Sequence, residues 1–193
     1  MGNRDTFADM KVTRYLFLLP LLACAATDTW QSFAINTRLT VQLPVQAIEL
    51  NVAQLLPAGQ APTHTRTWVA RAREGLCVIM RVPTANAQVI KQADTAQRRA
   101  FYDSVVKGAL AEEKQARLLQ RASFQTAGGN GIEIKYTALD ARTGHQRVRY
   151  MRSLVVDSIG YNLLFRPANL ADSVGIVDHA QRRRFFSSIT VKP

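Results

Sequence analysis

The chain has 193 residues, 47% of them hydrophobic and 20% charged, with 25 Lys and Arg against 14 Asp and Glu, a formal charge of +11. Two cysteines are too few for a disulfide scaffold, and no apolar run reaches the roughly 20 residues that a spanning helix needs. The basic balance attracts polyanions in a salt-dependent way, but no helix-turn-helix, zinc-finger or aromatic RNA-binding motif is present, which argues against a specific nucleic-acid partner.

Residues 10–26 read MKVTRYLFLLPLLACAA. Two bases, Lys11 and Arg14, lead into the apolar run Tyr15 to Leu22, and small residues follow from Ala23 to Ala26. That order predicts a bacterial secretory signal peptide over residues 1–25, with Met10 as an alternative start, and a single domain over 26–193. Two processing readings stand side by side. Ala23-x-Ala25 offers a small-x-small cleavage site. Leu21-Leu22-Ala23-Cys24 resembles a lipobox, which makes Cys24 a lipidation site. The predicted location is periplasmic or secreted, or else lipid-anchored to the envelope. The segment beyond residue 25 keeps a charge of +10, because residues 1–25 hold three bases and two acids. The polyanions outside a cytoplasm are lipid headgroups, lipopolysaccharide and acidic glycans.

Trp30–Ile35 and Leu39–Leu43 read as two short strands ended by Pro44, with a loop over 45–63. Thr65–Arg73, the turn Glu74-Gly75 and Leu76–Val82 predict a β-hairpin. Its second strand is apolar on both faces, Leu76, Val78 and Met80 on one and Cys77 and Ile79 on the other, which places it inside a sheet covered on both sides. Cys77 is expected as a small buried hydrophobe. Asp94 predicts an N-cap for a helix over Thr95–Glu113, with Phe101, Val105 and Ala109 in one apolar stripe and Tyr102, Val106 and Leu110 beside it. Gly108 weakens that helix and offers close packing on the sheet.

Ala116–Gln125 is the next predicted strand, and Gly128-Gly129-Asn130-Gly131 is a turn. Strict alternation follows, with Ile132, Ile134, Tyr136 and Ala138 on one face and Glu133, Lys135 and Thr137 on the other. Short turns at Asp140–Gly144 and Asp157–Gly160 then predict a three-strand antiparallel meander through Arg147–Val156 and Tyr161–Arg166. After a loop over Pro167–Val177, a helix begun by Asp178 presents Phe185, Phe186 and Ile189 to the sheet. The expected fold class is α+β, an antiparallel sheet of about seven or eight strands flanked by two main helices.

Trp30-x-x-Phe33, Val41-x-Leu43-Pro44, Gly131-x-Glu133, Arg149-x-x-Arg152, Tyr161 and Arg184-Phe185-Phe186-Ser187-Ser188 are spread over most of this region. With these residues the chain resembles secreted bacterial proteins of unknown function with a PsbP-like α/β/α sandwich. The resemblance implies a fold and no catalytic residues, and the photosystem role of the plant members does not follow from it.

The three histidines, His64, His145 and His179, stand in no metal-ligand spacing, so no metal or other cofactor is expected. His64 and His145 are expected in loops, and His179 in the first turn of the last helix, all as exposed polar residues. No G-x-S-x-G elbow is present, and the glycine cluster is no phosphate loop, since it lacks the Lys-Ser/Thr ending and precedes a strand. No catalytic residue is assigned. The feature with most physical content is arginine on strands. Arg71 and Arg73 share a face, as do Arg147 and Arg149, and two such strands side by side would form a cationic binding patch. The competing expectation is ion pairing with Glu74, Glu133 and Asp157. Arg182-Arg183-Arg184 is expected as a solvated helix face.

The sequence therefore points to an exported envelope protein, an accessory or binding module with a basic surface. A small extracytoplasmic hydrolase with dispersed catalytic residues, and a lipoprotein subunit of an envelope assembly, are the alternatives. The expected partners are anionic envelope components or an envelope protein, with no membrane-spanning helix in the mature chain.

Overall fold

A computed structural model of the chain describes residues 29–51, 65–83, 94–140, 143–169 and 172–192. The predicted leader, Cys24 and His64 lie outside them. Five strands open the order: β1 (Gln31–Ala34), β2 (Leu39–Leu43), β3 (Ile48–Leu50), β4 (Arg66–Ala72) and β5 (Gly75–Pro83). Helix α1 (Thr95–Ala111) precedes β6 (Arg117–Thr126), β7 (Gly129–Leu139), β8 (Gln146–Val156) and β9 (Ile159–Pro167). Helix α2 (Ala180–Ser187) and β10 (Thr190–Val191) close the chain.

The strands form two sheets. Seven are joined in the order β3-β4-β5-β9-β8-β7-β6, and three more in the order β1-β2-β10. Every pairing is antiparallel. The predicted hairpin is β4–β5, and the predicted meander is β7–β8–β9. β5 lies between β4 and β9, as its two apolar faces require.

Those faces serve two cores. On one side Ile132, Ile134, Tyr136 and Ala138 of β7, with Met151 and Leu164, pack under Tyr102 and Val106 of α1. On the other, Cys77, Ile79, Leu163, Phe165 and Tyr161 meet Phe185 and Phe186 of α2 together with Leu39, Val41 and Leu43 of the small sheet. Each large side chain so buried contributes about 1.5–3 kcal/mol. The layers are thus α1, the seven-stranded sheet, and a third layer of α2 with the three-stranded sheet.

Asp94 caps α1 as predicted. Its carboxylate accepts from the Gln97 N–H at 2.8 Å, and the Gln97 side chain accepts from the Asp94 N–H at 3.2 Å, a reciprocal capping box. Gly108, expected to pack on the sheet, faces solvent: a Cβ there would meet nothing within 4 Å. Gly128 is the glycine that a close approach requires, since a Cβ there would collide with Val191 of β10. β3 falls in the segment expected to be loop, and it pairs only with the outer edge of β4. The last helix begins at Ala180 with His179 as its N-cap, one residue later than Asp178.

Candidate functional site: an arginine-lined groove

Helix α1 covers the middle of the seven-stranded sheet and leaves its edge strand β6 open. Between them lies a groove of about 670 Å³, a volume in the range of small-ligand sites. Arg98, Arg99 and Tyr102 of α1 form one wall, and Arg121 and Ser123 of β6 the other. The register explains the second wall. Arg121 pairs with Ile134 and Ser123 with Ile132, so both share the face on which α1 sits. An ion pair between Arg121 and Asp103 spans the groove from β6 to α1. Tyr102 donates its hydroxyl to the Asn130 carbonyl at 2.6 Å and so fixes the start of β7 to the helix. Burial pushes the Tyr102 phenol upward, which keeps it a neutral donor.

Three guanidinium groups, with the Asp103 carboxylate on Arg121 and a serine hydroxyl beside them, make a surface suited to oxyanions. A guanidinium forks onto phosphate, sulfate or carboxylate oxygens with two parallel hydrogen bonds.

The arginines named from sequence lie elsewhere. Arg71, Leu76, Arg166, Arg149 and Tyr136 form one row across the sheet on the α1 face. Arg71 and Arg149 are therefore on the same face, with two strands between theirs. Arg149 is buried against Glu113, whose carboxylate also accepts from Arg166 at 3.4 Å. Arg147 is paired with Asp140 at 3.3 Å. Arg71 is exposed, and Arg73 sits exposed in the β4–β5 turn. The expected acidic partners serve other groups. Glu133 binds Arg152 at 2.6 Å, Asp157 binds Arg38, and Glu74 exchanges hydrogen bonds with Gln181 at the start of α2. Arg182, expected as solvated, is largely covered: it stacks 4.3 Å from the Tyr150 ring and reaches Glu133 and Asp178.

His145 is exposed in the β7–β8 connection. His179, expected exposed, is buried, because Tyr150, Phe165 and Asp172 surround it. The His179 and Asp172 side chains are 4% and 2% exposed and 3.6 Å apart. The Asp172 carboxylate is already engaged by three backbone N–H groups. Cys77 is buried as expected, and desolvation pushes its thiol up to about 12, far from the low values of reactive cysteines. Among the described residues no three His, Cys, Asp or Glu groups gather as a metal site, and no helix is long and apolar enough to cross a membrane.

The groove is not legible in the sequence because its walls, Arg98 to Tyr102 and Arg121 to Ser123, are separated in the chain and meet only in the fold. The available signal was Arg98-Arg99 off the apolar stripe of a helix, followed by arginine on the next strand.

No protein-family model and no curated protein matches the sequence. Among solved structures, cyanobacterial PsbP (CyanoP) from Synechocystis sp. PCC 6803 superposes with a TM-score of 0.53 at 14% identity, covering 90% of this chain and 99% of that one. A protein of unknown function from Pseudomonas aeruginosa superposes with a TM-score of 0.39 at 10% identity, covering 72% of this chain and 83% of that one. The chain has a PsbP-like α+β fold.

Proposed function

We propose that this chain is an exported envelope protein, a binding module that receives an anionic group of an envelope component in the groove between α1 and β6. The carrying observation is the convergence of Arg98, Arg99 and Arg121 on one concave surface. The shared ligand chemistry is a polyol bearing sulfate, phosphate or carboxylate oxygens, as in an acidic glycan or a lipid headgroup. The predicted leader over residues 1–25 supports export, and the net charge supports an anionic partner.

The test is titration of the purified chain, at about 50 mM salt to limit screening, with a heparin hexasaccharide in one arm and glycerol phosphate in the other. Backbone amide shifts are the readout. Shifts confined to α1, β6 and the start of β7, lost in R98Q/R99Q/R121Q, are expected. The arm that shifts identifies glycan or headgroup. No shift with either ligand refutes the reading.

A second reading has its own observation. Arg71, Arg166 and Arg149 share one row with a single carboxylate, Glu113, and Arg73 and Arg147 lie toward the same end of the sheet. If shifts move to this row and R71Q/R73Q abolishes them, the cationic patch is the site instead. The mass of the native protein reads processing: a mature mass with acyl chains on Cys24 makes it a lipoprotein, and one without them a secreted chain.

A further inference from the structure

The segment from Asp172 to Val177 displays apolar side chains outward. Val174 is 48% exposed, Ile176 85% and Val177 41%. A loop free to rearrange would fold such side chains back, but this one is pinned. The buried Asp172 carboxylate accepts from the N–H groups of Gly175, Ile176 and Val177 at 2.7, 2.9 and 3.3 Å. Lys135 Nζ, reaching up from β7, donates to the Gly175 carbonyl at 2.8 Å. Gly175 has φ +74°, and a Cβ there would collide with Lys135 and crowd the Tyr150 hydroxyl, so only glycine allows this approach.

The tip therefore has four of its backbone polar groups satisfied from below while its aliphatic side chains point away. That is the condition for putting irregular backbone into an apolar medium, where an unpaired N–H or C=O costs several kcal/mol. Three aliphatic side chains offer far less than the roughly 800 Å² per partner of a stable protein interface. A lipid surface needs no such area when basic groups add electrostatic attraction. Beyond the predicted leader the chain carries a formal charge of +10, and in the next helix the exposed Arg183 and Arg184 outnumber the one exposed carboxylate beside them, Asp178, which pairs with Arg183.

We infer that the Val174–Val177 tip is a membrane-docking knuckle that dips into the interfacial layer of an anionic bilayer. It lies on the α2 face of the sheet, opposite the groove, so the two assignments fail separately.

The test is flotation with vesicles of phosphatidylethanolamine containing about 30 mole per cent phosphatidylglycerol at about 50 mM salt. The wild-type chain should float, Ile176→Asp should bind at least tenfold more weakly, and R98Q/R99Q/R121Q should still dock its tip. Ile176→Trp adds an indole at the tip whose emission should shift blue and be quenched by brominated lipid. Absence of wild-type flotation overturns the inference. So does binding that Ile176→Asp leaves unchanged, or an indole at position 176 that stays in water on bound protein. Self-association in vesicle-free buffer that Ile176→Asp abolishes assigns the tip to a second copy and equally overturns it. Unchanged circular dichroism in Ile176→Asp shows that the fold is intact.

Discussion

Replacing Arg152 by methionine (Arg152→Met) keeps most of the side-chain volume and removes the fork that ties α2 to the sheet. Arg152 Nε donates to Glu133 at 2.6 Å, and Nη1 donates to the Phe186 carbonyl at 2.7 Å, one of the orphan acceptors at the end of α2. The guanidinium also stacks 4.7 Å from the Phe124 ring of β6 and 5.1 Å from the Phe186 ring. A charged hydrogen bond is worth about 1.5–3 kcal/mol, an unsatisfied buried carbonyl costs about 1–3 kcal/mol, and each stacked ring adds about 0.5–1 kcal/mol. All act through one group and overlap, so they do not sum. Glu133 keeps part of its surface in solvent, and Arg182 still reaches it at 3.8 Å. The expected loss is about 2–4 kcal/mol. A domain of this size melts about 2–4 °C lower per kcal/mol, so a loss near 3 kcal/mol lowers Tm by about 6–12 °C. Urea unfolding followed by circular dichroism and by the fluorescence of Trp30 and Trp68 measures it. Arg152→Lys, which keeps charge but not the fork, should fall between the two. An Arg152→Met midpoint within about 0.5 kcal/mol of wild type would refute the claim that this residue fastens the helix.

Asp94→Ala removes the capping box of α1 and should cost about 1 kcal/mol, while Asp94→Ser retains most of it; thermal melts distinguish them. Cys77, whose thiol burial raises to about 12, should resist alkylation at pH 8 until the protein is unfolded. Its folded pKa lies above the unfolded value, so the protonated thiol contributes fully below about pH 9, and stability falls from there toward pH 12 as the unfolded chain releases the proton first. The slope from this group approaches 1.4 kcal/mol per pH unit at most, and Cys77→Ala should flatten the alkaline limb by that share. Burial raises Tyr102, Tyr136, Tyr150 and Tyr161 as well, so a smaller alkaline decline should remain in the variant.

What the sequence revealed was what local chemistry decides. The Asp94 cap is a bond across three residues, and the β7 alternation is written in its own eleven residues. β3 escaped because it is three residues long and all of them are exposed, so the Ile48–Leu50 alternation is too short to announce a strand. β10 is two residues long and exists only because Val191 pairs with Leu39, far away in the chain. The site was less legible for the same reason. Arginine is visible on a strand, but its neutraliser is not: Glu113 reaches Arg149 across 36 residues. His179 resembled a surface residue because the groups that bury it, Tyr150, Phe165 and Asp172, come from two strands and a loop.

The distribution of charge sharpens the functional argument. Asp157, Glu49, Asp140, Glu113, Glu133 and Asp178 are each committed to an arginine within the fold. Much of the basic composition is thereby neutralised in place, and the excess is carried by particular residues. Among the described residues Arg71, Arg73 and Arg99 make no ion pair, and Arg121 shares its only carboxylate across an open groove. A surface that is basic by composition alone binds polyanions through its summed field, so removing any three exposed charges weakens it equally. A built site loses binding according to which three are removed. The comparison of R98Q/R99Q/R121Q with a triple variant of matched charge at Arg71, Arg73 and Arg166 therefore separates a groove from a field. Equal losses at equal salt would leave only the field.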